Sequence, residues 1–225
     1  MNLKALINEV RVQLADYGEL SVRVTDDRIA RLLNEAETEA AVRARLLIDS
    51  GSDRVDVRAG EPLYTLNPLT FFVERVYSPI LNRCLTKTSH HDLDNDAPQW
   101  YTVSGNPSHY MLDMGSPSTS SSSLNIRLYP IPIANDRLEL TVYRLPLNPL
   151  ASPTDEPEIP TIWHNHLIDW VCYRLLSEPS QSAELRAFAD FYRRRFEDTF
   201  GERADARRIE WRRKQRPKRV ISRWL

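Results

Sequence analysis

The hydrophobic period changes twice along these 225 residues, and that double switch limits the folds open to the chain more than any other feature. Leu3, Leu6, Ile7, Val10 and Leu14 follow helical spacing up to about Tyr17-Gly18. A second helical stripe runs through Ile29, Leu32, Leu33, Ala36, Ala40, Ala44 and Leu47, opened by Thr25 with Asp26 and Asp27 and closed at Ser50-Gly51. After Gly51 the pattern alternates. Arg54 to Arg58, parts of Leu63 to Leu66, Phe71 to Tyr77, Tyr110 to Met114, Leu124 to Leu128 and above all Leu138 to Leu145 read as short strands. Between Pro146 and Pro160 five prolines predict an extended linker. Helical spacing then returns, first through Leu167, Val171 and Leu175, and after Ser180 or Ser182 through Leu185, Phe188, Tyr192 and Phe196, reaching as far as Arg216 before Pro217.

The predicted class is α+β: a helical bundle of two N-terminal and two C-terminal helices with an inserted antiparallel β-sheet or small sandwich. The expected parts are a helical hairpin over 1–50, a β region over 51–145, a proline-rich linker over 146–160, a helix pair over 161–206 packing with 1–50, and an extended basic tail over 207–225. Thr86 to Asp94 fits a helical turn or a loop equally well. Gly115 to Ser123, with six serines, reads as a mobile hairpin tip.

Charge is as uneven as the pattern. The net formal charge of -1 conceals nine basic residues and one acid, Glu210, between Arg207 and Leu225. The first 206 residues are left with 21 basic and 30 acidic side chains, so the body is strongly acidic. No apolar stretch reaches the roughly 18 residues of a membrane span, and no membrane partner is expected. Met1-Asn2-Leu3-Lys4 leads straight into a periodic segment, which argues against a signal peptide. Cys84 and Cys172 stand far apart and read as buried free thiols of a reducing compartment.

Catalytic and metal-binding patterns are weak. His164-Asn165-His166 opens a helix, where an i, i+2 pair does not share a face, so both histidines read as polar N-terminal residues. His90-His91-Asp92 with Asp94 and Asp96 has metal-ligand chemistry but reads as a polar loop. Six glycines leave little room for a phosphate-binding loop, and no nucleophile elbow occurs. No catalytic residue, cofactor or metal is expected, and no enzymatic activity.

The basic segment is the strongest site-like signal. Lysine and arginine clusters bind phosphates, so a nucleic-acid-binding assembly factor is one reading. Trp211 and Trp224, with Val220-Ile221-Ser222-Arg223-Trp224-Leu225, favour a protein partner, because interface anchors are typically Trp, Tyr and Arg. A segment that orders on docking fits that composition.

Longer motifs carry a family likeness. Glu158-Ile159-Pro160-Thr161-Ile162-Trp163-His164, then Leu167 and Ala183 to Phe196, resembles head-to-tail adaptor proteins of tailed bacteriophages, of the connector or tail tubular type. Trp100, Gly105-Asn106-Pro107-Ser108-His109-Tyr110 and Leu128-Tyr129-Pro130 are similar to the middle of those proteins, and Val24 to Ile29 with Asn34-Glu35-Ala36 to their N-terminal helix pair. The resemblance implies a structural virion protein at the head–tail junction, made in the host cytoplasm. It implies a ring of twelve copies beneath the portal protein that extends the channel for packaged double-stranded DNA, helps retain the genome and gives a tail or nozzle protein its docking surface. It also implies that the helices form the ring wall and the β region faces the tail. Portal contact then falls on Arg207, Arg208, Trp211, Arg212, Arg213, Lys214, Arg216, Lys218, Arg219, Arg223, Trp224 and Leu225. Acids of the body lining such a ring would repel DNA and let it slide.

Overall fold

The computed structural model describes residues 1–17, 23–114, 123–179 and 181–203. Helix α1 (Leu3–Leu14) is capped by Asn2, whose side chain accepts from the Ala5 N–H at 3.0 Å, and buries Leu3, Leu6, Val10 and Leu14. It closes in a tight turn over Ala15–Tyr17. Helix α2 (Asp26–Ala44) starts where the Thr25 carbonyl takes the Arg28 and Ile29 N–H groups, with Asp26 and Asp27 at its positive end.

The second helix ends six residues before the expected Ser50-Gly51. Arg45 turns left-handed at φ 53°, and strand β1 (Ile48–Val57) begins at once. The cause is tertiary: Ile48 pairs with Tyr143, and the Leu47 carbonyl takes the Arg144 N–H at 3.0 Å. A sheet partner outweighs local helix propensity.

The remaining strands are β2 (Leu63–Thr65), β3 (Thr70–Ser78), β4 (Arg83–Cys84), β5 (Thr86–Lys87), β6 (Ser104–Gly105), β7 (His109–Met114), β8 (Leu124–Tyr129), β9 (Ile131–Pro132) and β10 (Asp136–Arg144). One sheet runs β1-β10-β3-β4 and is antiparallel throughout; a second runs β2-β8-β7-β5, and β6 pairs with β9. The expected purely antiparallel arrangement needs correcting at two places, because β5·β7 and β6·β9 are short parallel pairs. One apolar cluster takes Val73, Val76, Leu138, Leu140 and Val142 from the first sheet and Tyr110, Ile126 and Leu128 from the second. The ambiguous stretch at 86–94 resolves into β5 followed by helix α3 (His90–Asp96), capped by Ser89. Most of the serine-rich tip lies outside the described residues.

A separate cluster joins α1 and α2 to α4 (Leu167–Leu176) and α5 (Ala183–Phe200). Helix α4 follows a 3₁₀ stretch over Thr161–His166 and buries eight of its ten residues, where the sequence pattern showed one apolar face. It is enclosed because α1, α2 and α5 all pack on it. Helix α5 is capped by Ser182 and stops at Phe200, well short of Arg216: Gly201 takes φ 86° and donates its N–H to the Glu197 carbonyl at 2.7 Å. It buries Ala189, Tyr192, Phe196 and Phe200, while Phe188, expected inside, is 50% exposed. Together the described residues form five α-helices and several sheets, the α+β class read from the sequence.

The proline-rich segment is extended but not a free linker. Leu150 and Ile159 enter the helical core, and Asn34 both accepts from the Leu150 N–H (2.7 Å) and donates to its carbonyl (3.0 Å). The first-turn amides of α1, Leu3 and Lys4, donate to the carbonyls of Asp155 and Pro153 at 2.7 and 3.1 Å. Of the two cysteines, Cys172 is buried, its thiol pushed up to about 12 by that burial, whereas Cys84 is exposed at an edge strand.

Phe196 is fully buried, its ring centroid 4.9 Å from that of Trp170 and 4.7 Å from that of Phe200. Phe196→Ala is expected to lower unfolding free energy by about 3–5 kcal/mol. Phe188→Ala should cost below about 1 kcal/mol, because half of that side chain already meets water. Urea denaturation of both variants measures the difference.

Candidate functional site

The residues expected to contact the portal, Arg207, Arg208, Trp211, Arg212, Arg213, Lys214, Arg216, Lys218, Arg219, Arg223, Trp224 and Leu225, lie outside the described residues. The point from which that segment departs is described. Arg43 spans the faces of Trp170 (4.9 Å) and Phe196 (5.3 Å), pairs with Glu39 at 3.0 Å and donates to the Gly201 carbonyl at 3.4 Å. Arg203 pairs with Glu39 at 3.3 Å, so residues 201–203 are tied to α2.

A polar lock joins the helical and β portions. Glu37 sits on the buried side of α2, 1% exposed, and its Oε1 accepts the N–H groups of Glu158 (2.5 Å) and Ile159 (3.4 Å). Burial pushes the Glu37 carboxyl up to about 7, although both N–H groups favour the ionised form. Burial also pushes Glu158 up, but the hydrogen bond from Arg144 and the N–H groups of Asn148 and Leu147 outweigh it and hold that carboxylate below its ordinary value. Arg144 closes β10 and reaches Glu158 Oε2 at 2.7 Å, so the sheet's last residue grips the strap that Glu37 holds from the other side. His164, expected as a polar residue of a helix start, is buried inside the 3₁₀ stretch. Its Nε2 lies 2.9 Å from the Ile159 carbonyl and its Nδ1 2.8 Å from the Met1 amino nitrogen.

The far end of the β portion carries exposed apolar side chains. Its loops are tied together: Gly60 N–H donates to the Pro132 carbonyl (2.7 Å), Ala59 N–H to Asn135 (2.9 Å), Ser78 Oγ to Asp136 (2.5 Å), and Ile131 N–H to the Val103 carbonyl (2.9 Å). Ile80 and Ile133 are 68% and 58% exposed on these loops, and Tyr101 and Val103 stand in the segment joined to them. Their exposure could not be read from local sequence, because it depends on how separate turns are tied together.

The histidine–aspartate group of α3 disperses. His90 pairs with Asp113 at 2.8 Å, Asp92 binds Ser89, Asp94 accepts from Trp100 Nε1 at 2.8 Å, and Asn95 binds the His91 carbonyl. Among the described residues no three His, Cys, Asp or Glu side chains gather as metal ligands, and no helix is long and apolar enough to cross a membrane.

The described residues form two cores, a helix-packed and a sheet-packed one, linked by a locked strap and with exposed apolar side chains on the loops of the β portion. The match to the SU10 adaptor protein family runs over residues 1–220, and the chain belongs to that family. It is therefore a phage adaptor, a virion component that associates with other virion proteins. No curated protein matches the chain.

The lock predicts a pH dependence. A carboxyl that titrates near 7 when folded and near 4.5 when unfolded binds its proton more tightly in the native state. Its contribution is complete below about pH 4.5, fades as pH rises to about 7 and is absent above. Glu37→Gln keeps an acceptor for both N–H groups without a charge. Its stability relative to wild type should rise between pH 5 and pH 8 by up to about 3 kcal/mol, read by chemical denaturation at both pH values.

Proposed function

We propose that the chain is the head-to-tail adaptor of a tailed phage, assembling as a ring of twelve beneath the portal, extending the DNA channel, helping to retain the genome and offering the tail its docking surface. Its role in this reading is structural, with no reaction to catalyse. The observation that carries the reading is membership of the adaptor family across residues 1–220. Two physical features support it. In the chain the last helix is followed by the basic, tryptophan-bearing segment that the family likeness assigns to the portal. The loops carrying Ile80 and Ile133 leave an apolar patch where a tail protein would sit.

Nine basic residues within 207–225 also favour a second reading, an assembly factor that binds nucleic acid through this segment. Co-sedimentation with the portal protein of the same genome separates the two, comparing the full chain with a truncation after Ala206. The adaptor reading expects a stoichiometric ring from the full chain, loss of it on truncation, and modest weakening between 50 and 200 mM salt. Ring formation by both forms would remove portal binding from the tail. Failure of both to bind, with DNA binding that drops by about 10³-fold or more over that salt range, would favour the second reading.

Docking to the tail has its own test. Ile80→Ser with Ile133→Ser should leave the thermal melt nearly unchanged, since both side chains are exposed, and weaken capture of tail protein at least tenfold. Unchanged capture would place the tail surface elsewhere.

A further inference from the structure

A groove opens between α1 and α5 with the start of α4 as its floor, and His166 stands at that floor between two oxygen acceptors. Its Nδ1 lies 3.4 Å from the Thr199 hydroxyl and 4.0 Å from Asp169 Oδ2. Thr199 belongs to the last turn of α5, Asp169 to the first turn of α4. The Thr199 hydroxyl donates to the Arg195 carbonyl at 3.0 Å, so it accepts from the ring. Trp163 and Phe200 flank the imidazole, their ring centroids 6.0 and 6.3 Å from its own, and the groove gives it space to turn.

Asp169 is the more demanding acceptor. It is 2% exposed; Arg195 reaches Oδ1 at 3.4 Å, but Oδ2 is buried and accepts no hydrogen bond. A buried carboxylate oxygen without a donor is costly. Burial pushes this carboxyl up, while Arg195 and then the His166 ring pull it down. For a positive ring the carboxylate is the stronger partner, because hydrogen bonds between ionised groups are about twice as strong as neutral ones.

The other charges nearby leave that choice to Asp169. On the α1 side the Met1 amino group and Glu9 line the groove with opposite signs, and on α5 Arg195 is engaged with Asp169 itself. Burial pushes the Cys172 thiol to about 12 and the Tyr192 hydroxyl up, so both stay neutral. His164 is occupied at both ring nitrogens, by the Ile159 carbonyl and the Met1 amino group. Among the described residues no other carboxylate comes within 4.0 Å of the His166 ring nitrogens.

We propose that His166 is a two-position switch: uncharged, it holds the last turn of α5 through Thr199; charged, it swings to Asp169 Oδ2 and lets that turn go. Histidine is the side chain that ordinarily changes charge between pH 5 and 8. The second proton enters at Nε2, so the Nδ1–H is a donor in both positions and only its acceptor changes. Acid thus completes the orphaned carboxylate of α4 at the expense of the end of α5. The chain runs from that turn into the basic segment at 207–225, so the switch adjusts how firmly the base of that segment is held, beside the fixed ties of Arg43 and Arg203 to α2 and its neighbours.

Hydrogen exchange tests this in the full chain carrying Glu37→Gln, which removes the strap's own titration from the comparison. Peptides covering 197–201 are followed by mass spectrometry at pH 5.5 and 7.5, corrected for intrinsic exchange rates, with peptides of α4 as the internal reference. Protection at the end of α5 is expected to fall at least fivefold, relative to α4, from pH 7.5 to 5.5. The fall should vanish with Asp169→Asn, which removes the charge that draws the ring, and with His166→Asn, which removes the ring. Equal relative protection at both pH values overturns the switch, as does a fall that persists in either variant. If Asp169→Asn does not fold, the His166→Asn chain decides alone.

Discussion

A buried carboxylate, that of Glu37, holds the two halves of this protein in register. The strap over residues 146–160 has five prolines and makes no ladder of its own, so its backbone groups must find partners on other elements. Glu37 takes two of its N–H groups, Asn34 serves Leu150 on both sides, and the first turn of α1 donates into its carbonyls. Arg144 then fastens the sheet to the same strap through Glu158. Remove the acceptor at Glu37 and the strap's hold on α2 falls back on Asn34 at Leu150, while β10 stays joined to α2 through β1. The cost is a desolvated acid, visible in its raised pKa.

What the sequence shows and what it hides follow from how many elements each feature involves. The stripes of α1 and α2 are properties of one helix, and Leu6, Val10, Ile29 and Leu33 can be read directly from their spacing. The alternation of Leu138, Leu140 and Val142 is likewise local, and all three are buried. The end of α2 depends on β10, a hundred residues away, and local pattern carries that helix too far. Leu150 and Ile159 are single apolar residues among prolines, with no period to betray their burial. Glu37 left a trace that was readable in principle, since it stands four residues after Leu33 and three before Ala40, on the apolar stripe itself. Asp169 left none: only the meeting of α1, α4 and α5 makes it unusual.

The same distinction separates the two kinds of surface. Ile80 and Ile133 sit exposed on turns of the β portion and outside its core, so apolar residues there stand out as unneeded for folding. The basic segment at 207–225 stands out by composition alone. Ile80 and Ile133 belong to neither hydrophobic cluster of the described residues, so a partner can cover them without disturbing either core.

Helix α5 is where stability and assembly meet. One narrow stripe, Ala189, Tyr192, Phe196 and Phe200, anchors it to α4, and the rest of its circumference faces outward with Phe188, Phe191 and a run of arginines. A helix that needed only to complete the core would place polar residues at 188 and 191. Two phenylalanines half open to water, beside a groove whose buried carboxylate lacks a donor, mean that the folded chain leaves attractive surface unsatisfied. For an adaptor that is a physical necessity: a subunit that satisfied every group internally would have nothing left with which to bind its neighbours.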